Sequence, residues 1–372
     1  MIKNVILIDH ENYTSRREEL FYIQELIDLG YHVEVWDISS YLYPNIKIAG
    51  GIQRNFVHEV TCLNTLKNLL QRTTIVETAF IVEVPDSYSN RAIYRLLADY
   101  NCKTIKINCY GNSSLRKSKK DILQKIFKGS FTGLIKDHIW FNLNKIYKKR
   151  YHIHVPTYYL TSNFESCTHK INHPDFEKIR DYKQNPIISK DYIVFIDIFF
   201  PDHPDFKTLA KRSKMPDREK YRSNLKSFFD YIEKKYQMPI VIAAHPKSEF
   251  EGHEFGNRQI IKYHTDNLIH FAKIALLHES CSLSYLIYDN IPTIFFVTDE
   301  LLEIKLYNYS IKNRADYCKK ELYNISHRNF DNIIPSTFSE DIRKDYIYTY
   351  LTSPETEKKK NIDIIQNLLK DI

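Results

Sequence analysis

Short apolar runs separated by amphipathic stretches recur along the whole chain, and their period switches between that of a strand and that of a helix. Asn4–Asp9 holds an unbroken apolar run, Val5-Ile-Leu-Ile8, closed by an acid, the pattern of a strand covered on both faces. Ser15-Arg-Arg-Glu18 then offers a capping box for a helix reaching about residue 29, which Gly30 ends. Residues 33–38, 56–62, 80–84 and 103–109 predict further strands, with helices over 63–72 and 90–99 between them. Such alternation predicts a parallel, doubly wound sheet with right-handed crossovers. From 151 to 190 the periodicity weakens, and the connection between two domains is expected around 181–190.

The pattern resumes at 192–200, apolar at nearly every position except Asp197. A helix over about 217–236 follows, then the strand Pro239-Ile-Val-Ile-Ala-Ala244, which delivers His245-Pro246-Lys247 at its carboxyl end. A second strand at 274–277 ends in His278-Glu279-Ser280-Cys281-Ser282-Leu283-Ser284, followed by a short helix at 285–288 and a strand at 292–297. Helices near 312–321 and 355–369 finish the chain, and Ile362, Ile364, Ile365, Leu368 and Leu369 suit the last to pack back across a domain face. The expected fold class is α/β, with two Rossmann-like doubly wound domains, 1–185 and 186–372, facing a cleft. A chain of 372 residues is also too long for one common core.

Composition narrows the function classes. Only 8 glycines are present and none forms a Gly-rich phosphate loop, so Walker-type kinases and dinucleotide-fingerprint dehydrogenases are excluded from the leading readings. Six cysteines without Cys-x-x-Cys spacing fit a reducing compartment. The amino terminus reads as a folded strand rather than a signal peptide, and no apolar run approaches a membrane span. A cytoplasmic protein is expected. His152, His154, His169 and His173 form no complete ligand set, so no metal is expected there.

Candidate chemistry gathers at strand ends, where parallel sheets place their ligands. In the second half, His245, Pro246, Lys247, His278, Ser280, Ser282 and Ser284 would share one rim and suit a phosphorylated ligand: a point charge, two imidazoles and a hydroxyl-lined helix start. Each motif taken alone also reads as a strand end or an N-cap. In the first half, Asp9, His10 and Glu11 are candidate bases for deprotonating a hydroxyl, and Glu83-Val-Pro-Asp86 competes for that role. Asp197, a lone acid in an apolar strand, is either buried and paired or aimed into a cleft. Asp202, His203 and Asp205 allow metal chelation, but no Asp-x-Asp accompanies them, so the reading is metal-independent.

The succession His245-Pro246, a Thr-initiated helix at Thr265-Asp-Asn-Leu-Ile-His270, His278-x-Ser280-x-Ser282 and Pro292-x-Ile294-Phe295-Phe296 resembles the carboxyl-terminal half of bacterial surface-polysaccharide glycosyltransferases of the GT-B fold. Among these, the sialyl-, polysialyl- and Kdo-transferases that use CMP-activated sugars carry a similar His-Pro motif and Ser-rich motif. The segment from Tyr192 to Asp205 is similar to the opening of the second domain in capsule and lipopolysaccharide proteins. Cys281 departs from the Thr often found at its position. The resemblance implies a donor phosphate bound by the His-Pro and Ser-rich motifs, no cofactor, and a glycan or lipid-linked glycan as acceptor. A CDP-glycerol-type polyol-phosphate transferase would use a similar rim, and a non-catalytic nucleotide- or nucleic-acid-binding protein is a further alternative.

Net charge is +7, with 28 Tyr and 21 Phe, and much of the excess lies in 116–150, where eleven Lys or Arg face two acids, Asp121 and Asp137. Apolar positions there, including Trp140, Leu143 and Ile146, recur at helical spacing. Such a segment suits the headgroup region of an anionic bilayer, and equally a crossover helix with a solvated Lys face. Peripheral membrane association is therefore one expectation. No recognised nucleic-acid module is present, and no nucleic-acid partner is expected.

Overall fold

The structure, a computed structural model, describes residues 1–44, 51–112, 115, 131–203 and 215–372, with the backbone alone at 131–138 and 306. The chain divides into two compact units, Met1–Gly111 with Arg116–Pro174 and Thr352–Ile372, and Asn112–Leu115 with Asp175–Leu351. The sequence reading put the boundary at 185; the observed division falls eleven residues earlier, at Pro174/Asp175.

In the first unit the strands are β1 (Asn4–Asp9), β2 (His32–Asp37), β3 (Val57–Glu59), β4 (Thr78–Glu83), β5 (Lys103–Asn108), β6 (Tyr158–Thr161) and β7 (His169–Lys170). They form one sheet in the order β3-β2-β1-β4-β5-β6-β7, every pairing parallel. Successive side chains of a strand point to opposite faces, so β1 supplies both cores. Val5 and Leu7 pack with Phe21, Ile23 and Leu26 of the first helical segment, while Ile6 and Ile8 pack with Trp36, Phe80, Leu66 and Leu97 on the other side.

The first helical segment is two short helices, Ser15–Leu20 and Ile23–Asp28, instead of one. The chain breaks at Tyr22, which is left-handed at φ 56°, and this sets Phe21 and Ile23 both fully into the core. The cap is Thr14, one residue before the expected Ser15; its hydroxyl accepts from the Arg17 amide at 3.3 Å.

The C-terminal helix Asn361–Asp371 belongs to this first unit, with Ile365, Leu368 and Leu369 in the same core as Val5. A buried amide network anchors it. Asn361 Oδ1 accepts from the Asn172 amide at 2.9 Å, and Asn361 Nδ2 donates to the Asn172 carbonyl and to the Tyr22 hydroxyl, both at 2.8 Å. The Asn172 side chain in turn donates to the carbonyls of Thr356 and Lys359.

The second unit repeats the plan. β8 (Ile193–Ile196), β9 (Ile240–Ala244), β10 (Ile260–Lys262), β11 (Ile274–Leu277), β12 (Thr293–Val297) and β13 (Leu322–Asn324) pair in parallel in the order β10-β9-β8-β11-β12-β13. Ile193 and Phe195 pack against Phe228, Phe229 and Ile232 of the helix Arg218–Tyr236, and Val194 and Ile196 against Leu268, Leu286 and Tyr350 on the opposite face. Both sheets thus run outward from a first strand, return to its other side and continue. The class is α/β, doubly wound, in both units. β10 and β13, with β6 and β7, were absent from the sequence reading; none exceeds four residues. Among the described residues no helix is long and apolar enough to cross a membrane.

Candidate functional site

In a doubly wound sheet the strand order reverses at one place, and the carboxyl ends of the two strands there part to leave a crevice that takes ligands. That place is β1/β4 in the first sheet and β8/β11 in the second. Most of the residues singled out from the sequence fall at these two switch points.

At the second switch point, β9, β8 and β11 are adjacent and parallel, so the His245 turn, Asp197 and the Ser280 loop leave the sheet on the same edge. Asp197 organises this edge. Its carboxylate accepts from the amides of Phe199 at 3.0 Å and His245 at 3.3 Å, which pulls the chain out of the strand ladder after Ile196 and ties the His245 turn to the end of β8. Burial pushes its pKa up to about 7, opposed by those amides and by Arg222. Of the two readings of this lone acid, the buried and paired one holds: Asp197 ties the His245 turn to the end of β8.

The His245 turn is closed by its own side chains. His245 Nδ1 accepts from the Lys247 amide at 3.1 Å, and Ser248 Oγ donates to the His245 carbonyl at 2.7 Å. Pro246 is half-buried and Lys247 exposed, while the His203 ring lies 4.6 Å from that of His245, edge to face. Asp202 is engaged by Arg218, and Asp205 lies outside the described residues.

His278 is not on the rim. It is fully buried, with Nδ1 at 2.8 Å from the Phe296 carbonyl and Nε2 at 3.1 Å from the Tyr221 hydroxyl. Both ring nitrogens are thus spent, Nδ1–H donating and Nε2 accepting. Burial lowers its pKa to about 4, and the ring packs among Phe195, Tyr221 and Phe296. This is a core imidazole, neutral and turned away from any anion.

The Ser-rich loop divides in the same way. Ser284 is buried and donates to Asp175, with the Cys281 carbonyl at 3.0 Å. Ser280 and Ser282 stay half-buried, and Ser280 Oγ accepts from the Ser282 amide at 3.0 Å, leaving its hydroxyl proton able to donate. The helix Leu283–Tyr288 starts at Ser282 without a side-chain cap. Three residues the sequence did not flag hold the loop. Asp175 binds Ser284 and accepts from the Tyr285 hydroxyl at 3.1 Å, Asn112 Nδ2 donates to the Cys281 carbonyl at 3.0 Å, and buried Arg314 lies 3.7 Å from Glu279. All three are distant in sequence from the motif they support.

At the first switch point Asp9 ends β1 and Glu83 ends β4, register partners in the sheet. Asp9 is buried and paired side-on with Arg17: Nε to Oδ2 at 2.6 Å and Nη2 to Oδ1 at 2.7 Å. Burial raises the Asp9 pKa, with the guanidinium opposing it. Taking up a proton would break a buried ion pair, so Asp9 positions Arg17 and the loop and does not serve as the expected base. His10 keeps one nitrogen spare: Nδ1 donates to the Glu83 carbonyl, and Nε2 faces Glu11 Oε1 at 4.0 Å. Glu11 is half-exposed and 3.5 Å from Arg17 Nη1. Glu83 accepts from the Ile107 amide at 3.2 Å, and burial pushes its pKa up to about 8 against the pull of Lys106 and Arg17.

Beside this loop, at the carboxyl ends of β1, β2 and β3, lies a cavity of 460 Å³. Asn12, Asp37, Ser39, Ser40, Arg54 and Glu59 are among its lining residues. Short hydrogen bonds, Ser39 Oγ to Asn12 and Ser40 Oγ to Glu59, both at 2.6 Å, link these groups into a polar wall.

No family model and no curated protein matches the chain. Solved structures that resemble it include the wall teichoic acid polymerase TagF, at 12% identity and a TM-score of 0.49 over 99% of this chain and 90% of that one. CalG4, the calicheamicin glycosyltransferase, matches at 9% identity and 0.43 over 100% and 97%. A candidate UDP-N-acetylglucosamine 2-epimerase from Listeria monocytogenes matches at 8% and 0.46 over 100% and 98%. Transferases and an epimerase stand together in this set, so the likeness leaves activity to be argued from the residues of this chain.

Proposed function

We propose that the chain is a glycosyltransferase of the GT-B type, moving a sugar from a nucleotide-activated donor, CMP-linked, to a glycan or lipid-linked glycan in surface-polysaccharide biosynthesis. The observation that carries this reading is the pairing of the His245 turn and the Ser280–Ser282 loop on one sheet edge, at the switch point, with buried Asp197 between them. The CMP preference rests on the resemblance of those two motifs to CMP-sugar transferases.

In this reading His245, Lys247, Ser280 and Ser282 donate to the donor phosphate. As the bond between the anomeric carbon and the phosphate oxygen breaks, that oxygen leaves with the electron pair, and the same donors meet the developing charge. His278 and Ser284, spent in the core, drop out of the phosphate site and act as supports. The acceptor hydroxyl attacks the anomeric carbon and loses its proton to a base. Of the three candidates at the first sheet, His10 fits best, because the Glu83 carbonyl fixes Nδ1 as the protonated nitrogen and leaves Nε2 as the acceptor. Glu11 near Nε2 would stabilise the imidazolium. The cavity wall of Asn12, Asp37, Ser39, Ser40, Arg54 and Glu59 offers acceptors and donors at the density a hydroxyl-rich acceptor requires.

The test is nucleotide release from CMP-, UDP- and GDP-sugars and from CDP-glycerol, with and without a glycan acceptor. CMP released from a CMP-sugar, with His10→Ala lowering kcat by about a hundredfold or more at little changed KM, is the expected result. Turnover of CDP-glycerol alone would replace the sugar by a polyol phosphate, and no turnover of any donor would remove the enzyme reading.

A further inference from the structure

The 20-residue helix Phe131–Arg150 has two faces of unusual distribution. One face is fastened to the first unit. Trp140 and Tyr147 pack on Tyr88 with ring centroids at 5.3 and 6.0 Å, Asn144 donates to Asp86 at 2.9 Å, and Lys148 donates to Asp86 at 2.6 Å and to the Val155 carbonyl at 3.2 Å. These positions, 140, 144, 147 and 148, lie on one stripe of a helix. The inward face is thus built from aromatic and hydrogen-bonding groups.

The other stripe points away from the unit, and it is apolar. Ile139, Leu143 and Ile146 recur at i, i+4 and i+7 and are 50%, 38% and 62% exposed. Arg150 continues the same stripe at i+11, Lys149 is exposed at its flank, and Lys145 is exposed further round the helix, one turn before Lys149. A helix lying on a protein in water places polar residues outward. This one holds its polar contacts inward and shows water a branched-aliphatic row, with Trp140 at the border, 44% exposed. Scattered exposed apolar residues are ordinary, whereas a continuous row on one helix marks a contact surface.

We propose that this face docks on an anionic lipid bilayer. The charge decides among occupants. Lys145, Lys149 and Arg150 carry no acid among them over the last turns of the helix, Arg150 continues the apolar row with Lys149 flanking it, and the chain as a whole has an excess of seven positive charges. A second copy of the same face would bring like charges together, while a bilayer of acidic headgroups takes the cations at the interface and the aliphatic row among the upper acyl carbons. Trp140 at the border matches the preference of indole for the headgroup level. The helix lies in the plane of the membrane; it does not cross it.

This inference stands apart from the transferase reading, and its test reads binding without turnover. The full chain is sedimented with vesicles of phosphatidylcholine alone and of phosphatidylcholine mixed with phosphatidylglycerol, over a series of salt concentrations. Binding to the mixed vesicles, weakening as salt rises, is the expected result. The triple variant Ile139→Ser, Leu143→Ser, Ile146→Ser loses at least tenfold in vesicle affinity, and Lys145→Glu, Lys149→Glu, Arg150→Glu loses the preference for acidic lipid. Every changed position is exposed, so melting temperatures should match the parent; His10→Ala and His245→Ala should bind vesicles like the parent. Equal partition of parent and variants, no binding to either vesicle, or a dimer in solution that the serine variant converts to a monomer would each overturn the proposal.

Discussion

His278 and His10 illustrate how one residue type takes opposite roles at neighbouring kinds of position. Both follow the last residue, or nearly so, of a parallel strand. His278 continues the inward alternation of β11 and lands among Phe195, Tyr221 and Phe296, where burial lowers its pKa to about 4. A sequence reader sees only that it adjoins a Ser-rich loop; a strand apolar on both faces gives no sign of where its side chains cease to point inward. NMR of the imidazole should show His278 unprotonated above about pH 5, and protonation near the ordinary value of about 6.5 would contradict the placement. Glu83 supplies a test of opposite sign. Its folded pKa, about 8, lies above the 4.5 of an unfolded carboxyl, so between these values the folded chain holds a proton that the unfolded chain has released, and stability falls as pH rises. Glu83→Gln, which mimics the protonated side chain and keeps the acceptor for the Ile107 amide, should match the parent near pH 5 and melt higher near pH 9. A variant that melts below the parent at both pH values would show Glu83 charged in the fold.

At the scale of elements, the long strands and helices are readable because their apolar periods are long, and β8 and β11, though short, are apolar at every position; β6, β7, β10 and β13 are not readable, because their two to four mixed residues define no period. β8 stops at Ile196, earlier than the expected 200, for a reason the sequence contains but does not reveal: Asp197 diverts the amides of Phe199 and His245 from the ladder. The supports of the Ser-rich loop were invisible for another reason. Asp175 and Asn112 reach it across more than a hundred residues of chain. Asp175→Ala removes the acceptor of two buried hydroxyls and should cost about 1–3 kcal/mol, read by denaturant unfolding, together with the nucleotide response. Asn361→Ala opens the amide network that anchors the last helix and should cost about 2 kcal/mol with that response intact. Equal effects of the two variants on nucleotide binding would mean that the loop is not held where the hydrogen bonds place it.

For the whole molecule, the sequence disclosed two doubly wound sheets through the alternation of its elements, and it set Asp9, His10, His245 and Ser280 at strand ends. Strand order was not legible, because adjacency within a sheet is decided by which crossover returns to which edge. Order is what turns scattered strand ends into switch points, β1 beside β4 and β8 beside β11, and so concentrates the chemistry at two edges. The division of the chain was also hidden, since the last helix packs in the first core while its apolar spacing would suit either.

The central claim is that the His245 turn and the Ser280 loop bind the phosphate of a nucleotide. It is tested most directly by the shift in melting temperature of the full chain with CMP, CDP, UDP and GDP, because a ligand that binds only the folded state raises that temperature. The account predicts the largest rise with CMP and its loss in His245→Ala. An equal response to every nucleotide, or no response to any, would contradict it.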